Sequence, residues 1–209
     1  MADIIRRSPV RLPAGVVERE RREGWEVVLR YEGEGAGPHL VDLSHRTKWD
    51  LQDRDAGSMS PGGAAVPKTP GTSILSGGLA LNRMNRTQVS IWHLAGEDPV
   101  TPTASFTETT DAHALLALTG PEVFSILEHA TDLDLAGRPA PAYFQGPVFH
   151  IPCQVLVLKN GEGVPGVLLA FSRGYGQAFA EALLQAGKDA GLRPAGEKAF
   201  SAWFGKQSP

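Results

Sequence analysis

The chain has 209 residues, of which 42% are hydrophobic and 21% charged, with a formal net charge of −3 and a pI near 6.1. This is the composition of an ordinary soluble domain, and it disfavours a nucleic-acid-binding protein, which would usually present a strongly basic surface. The single cysteine, Cys153, excludes an intrachain disulfide. The first residues lack a signal-peptide core, and no segment approaches the ~20 apolar residues that span a bilayer. We therefore expect a soluble cytoplasmic protein.

Composition divides the chain into four parts. Residues 1–24 form an arginine-rich N-terminal arm, 25–105 a first module, 106–204 a second module and 205–209 a tail. The run of mixed charge at 18–23 is either a solvated helix end or a segment that packs on another chain. Residues 54–78 are rich in Gly, Pro and Ser, which predicts a long loop. Loops of this length are usually functional or part of an interface.

The second module has the clearer pattern. A strand is predicted at 113–120, and a helix follows from Pro121, a residue suited to the first helical position. One or two strands are predicted around Pro152, then an apolar strand at 166–172, an amphipathic helix at 175–191 and a closing extended segment at 191–196. The resulting order of strand, helix, strand, strand, helix, strand is the split βαβ pattern of ferredoxin-like modules. The fold class predicted for the chain is α/β, or α+β in the stricter sense, with two related modules.

One stretch has the residue types of a hydrolase triad. HLVDLSHRTKWDL, at 39–51, contains Asp42, Ser44 and His45. Adjacent residues on a strand point to opposite faces, so Ser44 and His45 diverge, and triads are normally assembled from distant segments. We therefore interpret the stretch as a strand end whose polar side chains bond nearby backbone, with Leu43 packing inward, and predict no catalytic residue there.

Other candidate sites are few. The six histidines have no metal-ligand spacing and one cysteine cannot build a thiolate site, so we predict no metal site. Arg83 and Arg86 are the candidates for binding an anion or folate, because two guanidinium groups near a chain reversal could hold a carboxylate or phosphate. Their odd spacing on a strand places them on opposite faces, so one solvated arginine and one arginine in an interchain salt bridge is an interpretation at least as good.

Three segments, in order, resemble one family. LVDLSHRTKWDLQDRD at 40–55, HALLALTGPEVFSILEHATDLDL at 113–135 and YGQAFAEALLQAGKDAGLRPAG at 175–196 are similar to signatures of the folate-binding aminomethyltransferases, the T-proteins of glycine cleavage. The TGPE helix and GLRPAG are the most specific parts, and the match extends over about residues 25–196. The chain is shorter than a full T-protein, which has an additional barrel. In this it resembles the gamma subunits of heterotetrameric sarcosine oxidases.

The resemblance fails at the positions that carry the family's chemistry. The family's acidic pair corresponds to positions near Thr87, Gln88 and Val89, where there is no carboxylate. The Glu that helps hold the pterin corresponds to Leu168, which leaves the N–H donors of the ring unpaired. Glu162 could replace it only by a shift in register. The resemblance therefore implies that the fold is kept and the folate chemistry is lost.

The function implied is that of a non-catalytic subunit in a sarcosine oxidase-like oxidoreductase complex that acts on N-methylated amines. No cofactor is expected on this chain alone, and flavin and tetrahydrofolate would belong to larger partner subunits. Loop 54–78, the arm and the aromatics Trp92 and Trp203 are the interface candidates, with core packing as the alternative for each Trp.

Two other functions stay open. One is a stand-alone tetrahydrofolate-dependent aminomethyl or methyl transferase. The other is a folate-binding protein related to the family that assists iron–sulfur maintenance. That family has a K-G-C-Y-x-G-Q-E motif, whereas Cys153 lies in an apolar strand and is interpreted as a buried small residue.

Overall fold

The structure is a computed structural model that describes residues 5–206. The first four residues of the predicted arm and the last three of the tail lie outside this range. The strands are β1 Val16–Arg22, β2 Trp25–Tyr31, β3 His39–Asp42, β4 Lys48–Gln52, β5 Thr72–Ser76, β6 Leu79–Arg83, β7 Gln88–His93, β8 Phe106–Glu108, β9 His113–Thr119, β10 Ala142–Val148, β11 Ile151–Lys159, β12 Pro165–Ser172 and β13 Arg193–Ala195. The helices are α1 Val123–Glu128, α2 Gly176–Ala186 and α3 Glu197–Phe204.

Eleven strands form one sheet in the order β13-β3-β9-β12-β11-β10-β5-β6-β7-β4-β8. The two halves of this sheet are joined weakly, because β10 and β5 share only the pair Ala142↔Thr72. Residues from the inner faces of both halves belong to one apolar cluster, in which Trp92 of β7 packs with Leu156 of β11 and Leu168 of β12. The sheet therefore curls until its two halves face each other.

The second half of the sheet is the centre of the core. Strands β9 and β12 have apolar side chains on both faces and are buried almost throughout, as is the stretch 155–158 of β11, which is why they read as continuous hydrophobic runs. On the outer face α1 and α2 cover the sheet through residues such as Ile126 and Phe179. On the inner face α3 contributes Phe200 and Trp203. Both faces are therefore closed by helices or by the other half of the sheet.

Three strands, not two, lie between α1 and α2. The segment around Pro152 forms two strands, β10 and β11, because the chain reverses at Phe149 and His150, which both adopt positive φ. Helix α2 ends before Gly187, one turn earlier than predicted, and β13 confirms the closing extended segment. The sequence analysis did not predict α3.

The predicted modules do not coincide with the halves of the sheet. β3, assigned by position to the first module, pairs with β9 through His39↔Thr119 and belongs to the second half. β8 begins after the predicted boundary at 105, yet it pairs with β4 of the first half through Asp50↔Thr107. The division of the strands between the two halves of the sheet is set by long-range strand pairing, which cannot be predicted from composition.

The predicted loop 54–78 also needs correction. Its last part is β5, which pairs with β6 across a tight turn at Gly77 and Gly78. The earlier part contains two short 3₁₀ turns and buries Ala64 and Val66 against the first half of the sheet. The glycines and serines around β5 are typical of a loop, but the segment forms a strand because it pairs with β6.

The N-terminal arm is part of the fold. Residues 16–22 form β1, which pairs with β2 in a separate two-stranded sheet, so neither a helix end nor a free arm describes them. The turn is made by Glu23 and Gly24, whose positive φ values of 49° and 83° suit a two-residue hairpin. Before it, Val10 and Leu12 are buried in the core beside α2.

Candidate functional site

Asp42 and Ser44 of the DLSH stretch bond backbone groups of the fold. Ser44 accepts a hydrogen bond from the Leu115 N–H at 3.2 Å through its hydroxyl. Asp42 accepts one from the Ser44 N–H at 2.9 Å, and Leu43 has no exposed surface. His45 points away and bonds Glu197 at 2.8 Å. The serine and histidine do not meet, so there is no nucleophile–base pair.

The two candidate anion-binding arginines also diverge. Arg83 is 5% exposed, and its guanidinium donates to three backbone carbonyls, those of Pro67, Asn85 and Arg86, at 3.0, 3.0 and 2.5 Å. It therefore fixes the chain around the β6–β7 turn, and its burial leaves it little access to a ligand. Arg86 is exposed and contributes only its carbonyl to this arrangement. One of the two guanidinium groups is therefore buried and bonded to backbone, and the other belongs to an exposed residue.

No group of three His, Cys, Asp or Glu residues that could hold a metal ion occurs within residues 5–206. Cys153 is buried, and burial raises the pKa of its thiol to about 12, so it is an unreactive small core residue. Trp92 and Trp203 are 1% and 8% exposed, so the core-packing interpretation is correct for both and the interface interpretation is wrong.

The positions equivalent to the pterin-binding residues remain apolar or distant. Leu168 is fully buried in β12 and packs against the inner apolar cluster. Glu162 lies at the tip of the β11–β12 hairpin and pairs with Lys206 at 3.0 Å in solvent. Neither carboxylate nor amide is presented to the inner face at these two positions.

The inner face of the first half-sheet nevertheless carries a carboxylate, that of Asp50. Register places Asp50 opposite Ser90 and Gln52 opposite Gln88, so all four share one face of β4 and β7. The Gln88 Nε2 donates to both oxygens of Asp50 at 2.9 and 3.1 Å, and the Gln52 Nε2 donates to one at 2.6 Å. We call Asp50, Gln52 and Gln88 the Asp50 cluster.

Buried polar groups extend this face across the gap between the half-sheets. Burial and the negative charge of Asp50 together raise the pKa of Tyr143, whose hydroxyl donates to the Gln154 Oε1 at 3.0 Å. Asn82 is fully buried, and its Nδ2 has no hydrogen-bond partner among the residues described. An inner face of amides, a phenol and one carboxylate could bind a ligand that offers both N–H and C=O groups.

The sequence analysis did not identify Asp50, which lies eight positions beyond Asp42 and outside the DLSH residues. The detectable signal is the alternation of Lys48, Asp50 and Gln52, which predicts a polar face on one strand. The partner Gln88 is distant in sequence, and only the β4–β7 register brings it to Asp50.

A second cluster is built around Glu197, the first residue of α3. Its carboxylate is met by Arg22 at 2.9 Å, by His45 at 2.8 Å and by Arg46 at 2.5 Å. Burial raises the pKa of Glu197, but the hydrogen bonds from His45 and Arg22 and the charge of Arg46 outweigh it, so the pKa lies well below its usual range. This Glu197 cluster joins the β1–β2 hairpin, the DLSH stretch and α3.

Lys48 is the most perturbed cation. It is 1% exposed, and burial lowers its pKa to about 7. Its Nζ donates to the carbonyls of Ser44 and Arg46 at 2.9 and 2.7 Å. A lysine with such a pKa could act as a base or nucleophile, but one so enclosed is not reached by a substrate.

A cavity of about 660 Å³ lies between the N-terminal segment, the β1–β2 hairpin and the DLSH stretch. Its apolar wall includes Trp25 and Val27, and its polar wall includes arginines of the N-terminal segment. The hydroxyl of Tyr31 makes no hydrogen bond with the described residues, and burial followed by the charges of Asp42 and Glu34 raises the pKa of Tyr31 to about 12.

No protein-family model matches the chain. Its sequence is 33% identical over 99 residues to sarcosine oxidase subunit alpha of Rhizobium meliloti, and 38% identical over 87 residues to an aminomethyltransferase of Streptomyces avermitilis. These matches cover 44% and 41% of this chain, but only 10% and 23% of the two relatives. The chain therefore corresponds to a minor part of each of these longer proteins.

Solved structures share the fold more widely. A chain of the heterotetrameric sarcosine oxidase from Corynebacterium sp. U-96, in complex with pyrrole 2-carboxylate, aligns with a TM-score of 0.61 at 12% identity, over 72% of this chain and 84% of that one. Aminomethyltransferase T of the glycine cleavage system from Bartonella henselae aligns with a TM-score of 0.62 at 18% identity, over 91% of this chain and 58% of that one. The fold is that of the T-proteins, as the sequence resemblance predicts.

Proposed function

From the T-protein-like fold we propose that the chain is a non-catalytic subunit of a multi-subunit oxidase that acts on N-methylated amines such as sarcosine. In this proposal flavin and tetrahydrofolate are bound by larger partner subunits, and this chain contributes surface to a cytoplasmic complex. None of the helices within residues 5–206 is long and apolar enough to cross a membrane.

The observation that carries the proposal is the alignment with a chain of the heterotetrameric sarcosine oxidase. It covers a larger share of that chain than of this one, so the oxidase chain is the shorter of the two. A single T-protein-like unit of similar size is therefore found as a chain of its own in an oxidase assembly. Aminomethyltransferase T, by contrast, extends well beyond the aligned region.

The charged groups support the same proposal. The buried carboxylate of Glu197 is bonded by two arginines and the ring of His45, and the buried guanidinium of Arg83 by three carbonyls. Groups that are satisfied in this way stabilise a fold and have no free capacity for proton transfer. Leu168 presents no acceptor for the paired N–H donors of a pterin.

The test is purification of the tagged chain from its native extract at moderate salt. We expect co-elution with larger subunits, a flavin absorbance spectrum and sarcosine-dependent production of hydrogen peroxide by the eluate. The tag alone is the control. A colourless chain that elutes without larger subunits would overturn the proposal.

A second candidate function, a stand-alone tetrahydrofolate-dependent transferase or folate-binding protein, is favoured by one observation, the Asp50 cluster. Its carboxylate lies on the same face as Gln88, and the resemblance places the acidic pair of the T-proteins near Thr87, Gln88 and Val89. Gln52 and Gln88 would have to release Asp50 for it to accept the N–H groups of a pterin.

Titration of tetrahydrofolate into the purified chain, followed by calorimetry, tests this candidate. If the transferase is correct, Asp50→Asn weakens binding by about tenfold or more, because a charged acceptor of two N–H bonds is lost. Asp189→Asn, an exposed carboxylate outside the sheet, is the matched control. Absence of binding to the wild-type chain removes the candidate.

A further inference from the structure

The N-terminal segment and strand β2 run in the same direction and are bonded through their backbones at two points. Arg6 bridges Trp25 at one end, and at the other the N–H of Glu32 donates to the carbonyl of Gly15 at 2.8 Å. Nine positions separate Arg6 from Gly15, whereas seven separate Trp25 from Glu32. The N-terminal segment therefore bows away from β2, and between the two points no backbone hydrogen bond joins these described residues. The cavity of about 660 Å³ is this gap, which we call the β2 slot.

The β2 slot is held open from the side that faces α2. The Arg11 N–H donates to Gln177 of α2 at 2.8 Å, and Val10 and Leu12 are buried in the core that α2 covers. Closing the gap would require the N-terminal segment to leave these contacts. The slot is therefore a fixed feature of the fold, and its volume lies in the range of small-molecule sites.

The walls of the β2 slot are apolar along most of its length. Trp25 and Val27 line it from β2, and Val10 and Leu12 line it from the N-terminal segment. All four side chains are buried in the folded chain. Because the slot follows two lengths of chain, it is long in one direction and narrow in the others. This shape favours an unbranched apolar chain over a compact ring system.

One end of the β2 slot carries unpaired positive charge. Arg21 lies opposite Glu26 in the β1–β2 ladder, and Arg7 follows the residue that bridges Trp25, so it lies on the other side of Glu26. The carboxylate of Glu26 is engaged by Arg19 at 3.2 Å. Neither Arg7 nor Arg21 forms an ion pair with any residue between 5 and 206. Two such guanidinium groups favour a carboxylate, which they bind through charge-assisted hydrogen bonds.

The other end of the β2 slot carries a hydrogen-bond donor without a partner. Tyr31 lines the slot and is 8% exposed, and its hydroxyl makes no hydrogen bond with residues 5–206. Burial, followed by the charges of Asp42 and Glu34, raises the pKa of Tyr31 to about 12, so the hydroxyl keeps its proton. Asp42 also lines this end, and its carboxylate accepts from the hydroxyl of Ser8 and the N–H of Ser44. A neutral oxygen atom therefore suits this end better than a second carboxylate, which would lie beside Asp42.

From these observations we infer that the β2 slot binds an elongated carboxylate with an unbranched apolar chain and a neutral oxygen atom at its far end, as in a long-chain hydroxy carboxylate. The carboxylate meets Arg7 and Arg21. The chain lies between Val27 on one side and Leu12 on the other, and the terminal oxygen accepts the hydrogen bond of Tyr31.

The spacing of the two polar ends sets the length of the ligand. Glu26, which marks the charged end, and Tyr31 are five residues apart on β2. At about 3.4 Å per residue this is about 17 Å, which is the length of an extended chain of about twelve carbons. The Asp50 cluster does not line the slot, so the inference concerns a different site and does not depend on the proposed subunit role.

The experiment titrates 12-hydroxydodecanoate into the full chain, below the concentration at which it forms micelles, and measures binding by calorimetry. We expect it to bind at least about tenfold more tightly than 1,12-dodecanediol, which cannot make the charge-assisted hydrogen bonds. It should also bind at least about a hundredfold more tightly than 4-hydroxybutanoate, which has eight fewer methylene groups to bury. Equal binding of the carboxylate and the diol, or no binding of 12-hydroxydodecanoate, overturns the inference.

Two variants of equal charge locate the carboxylate. The double variant Arg7→Gln and Arg21→Gln should bind 12-hydroxydodecanoate about tenfold more weakly and bind the diol as the wild type does. The matched control is Arg54→Gln with Lys68→Gln, which removes the same charge from exposed residues outside the slot and should change neither affinity. Equal loss in both variants would mean that only net charge matters and would overturn the inference.

The far end is tested with Tyr31→Phe, which removes only a hydroxyl that has no partner among residues 5–206 and should therefore keep the fold intact. We expect the variant to bind 12-hydroxydodecanoate about fivefold more weakly, because one neutral hydrogen bond is lost. Its affinity for dodecanoate, which has no terminal oxygen, should equal that of the wild type. The same loss for both ligands, or no loss for either, overturns the inference.

Photocrosslinking of the wild-type chain places the apolar chain without any substitution. The probe is a dodecanoate with a diazirine group in the middle of its chain, and the labelled residues are identified by mass spectrometry. We expect labels on residues 5–12 and 24–31, which line the slot from its two sides. Labels on the shallow groove at residues 59–63, or on any other part of the chain, overturn the inference.

Discussion

The two carboxylates at the centre of this molecule are held in different ways. Glu197 is 4% exposed and is bonded by two arginines and the ring of His45, whereas Asp50 is half-buried and is held by the neutral amides of Gln52 and Gln88. In the first case positive charge compensates the carboxylate. In the second no cation among the described residues compensates the carboxylate, and its negative charge contributes to the raised pKa of Tyr143 across the gap between the half-sheets.

The difference separates a structural carboxylate from one that a ligand could use. A buried charge needs its compensating partners, and removing one member leaves the others uncompensated in a medium of low dielectric constant. Amides can exchange one acceptor for another at little cost, so the Asp50 cluster can reorganise around a ligand, while the Glu197 cluster cannot. Substitutions at the two sites should therefore have very different effects.

The largest effect is expected for Glu197→Gln. The change keeps the shape but leaves Arg46, whose side chain is 12% exposed, without a counter-charge. We expect the free energy of unfolding, measured by urea denaturation at pH 7, to fall by about 3 kcal/mol. A loss below about 1 kcal/mol would show that solvent compensates the cations and would break the comparison.

Acid should reproduce the effect of this substitution. Because the pKa of Glu197 is lowered in the folded state, its contribution to stability is complete above the unfolded pKa of about 4.3 and is lost as the pH falls below that value. Glu162→Gln, which removes an ion pair with Lys206 between side chains that are 61% and 54% exposed, is the control and should change stability by less than about 1 kcal/mol.

Arg83→Met should have the next largest effect. The substitution removes the donor for three carbonyls in a buried site, and we expect a loss of about 2 kcal/mol in the free energy of unfolding. Arg86→Met changes an exposed side chain three positions away and should alter stability by less than about 0.5 kcal/mol. Equal effects of the two substitutions would restore the prediction that they act as a pair.

Lys48→Met extends the comparison to a buried cation whose Nζ bonds two backbone carbonyls and, within residues 5–206, no carboxylate. Burial lowers the pKa of Lys48 to about 7, against about 10.4 in the unfolded chain, so between pH 7 and 9 the unfolded state binds the extra proton. Stability of the wild type should therefore rise with pH in this window, by up to about 1.4 kcal/mol per pH unit from this residue. In the variant this part of the slope disappears.

Much of the fold follows from the sequence. The runs at 113–119 and 165–172 are apolar on both faces, which predicts buried central strands, and Pro121 marks the start of the helical segment. Helix α3 was missed because it begins at Glu197, a residue that is stable in the core only through cations from β1 and the DLSH stretch. A charge in a core helix cannot be predicted without knowing its partners.

The site was less predictable than the fold, for a related reason. The hydrogen bond from the Ser44 N–H to Asp42 is local and follows from adjacent residues, whereas the bond from the Leu115 N–H to the Ser44 hydroxyl joins residues 71 positions apart. The Asp50 cluster depends on the register between β4 and β7, which pairs Gln52 with Gln88, 36 positions later in the chain. One residue of slip would turn the carboxylate of Asp50 to the other face of the sheet. Only the folded chain fixes that register.

The smallest effect is expected for Asp50→Asn, and it decides the comparison. No cation loses its partner in this variant, and the new amide still accepts from Gln88 through its oxygen, so stability should fall by only about 0.5–1 kcal/mol. The pKa of Tyr143, followed by ultraviolet titration, should decrease because the negative charge of Asp50 is gone, yet stay above its ordinary value because burial, the larger cause, remains. A loss of stability as large as that of Glu197→Gln would make Asp50 a structural carboxylate, and the inner face would then have no group free to bind a pterin.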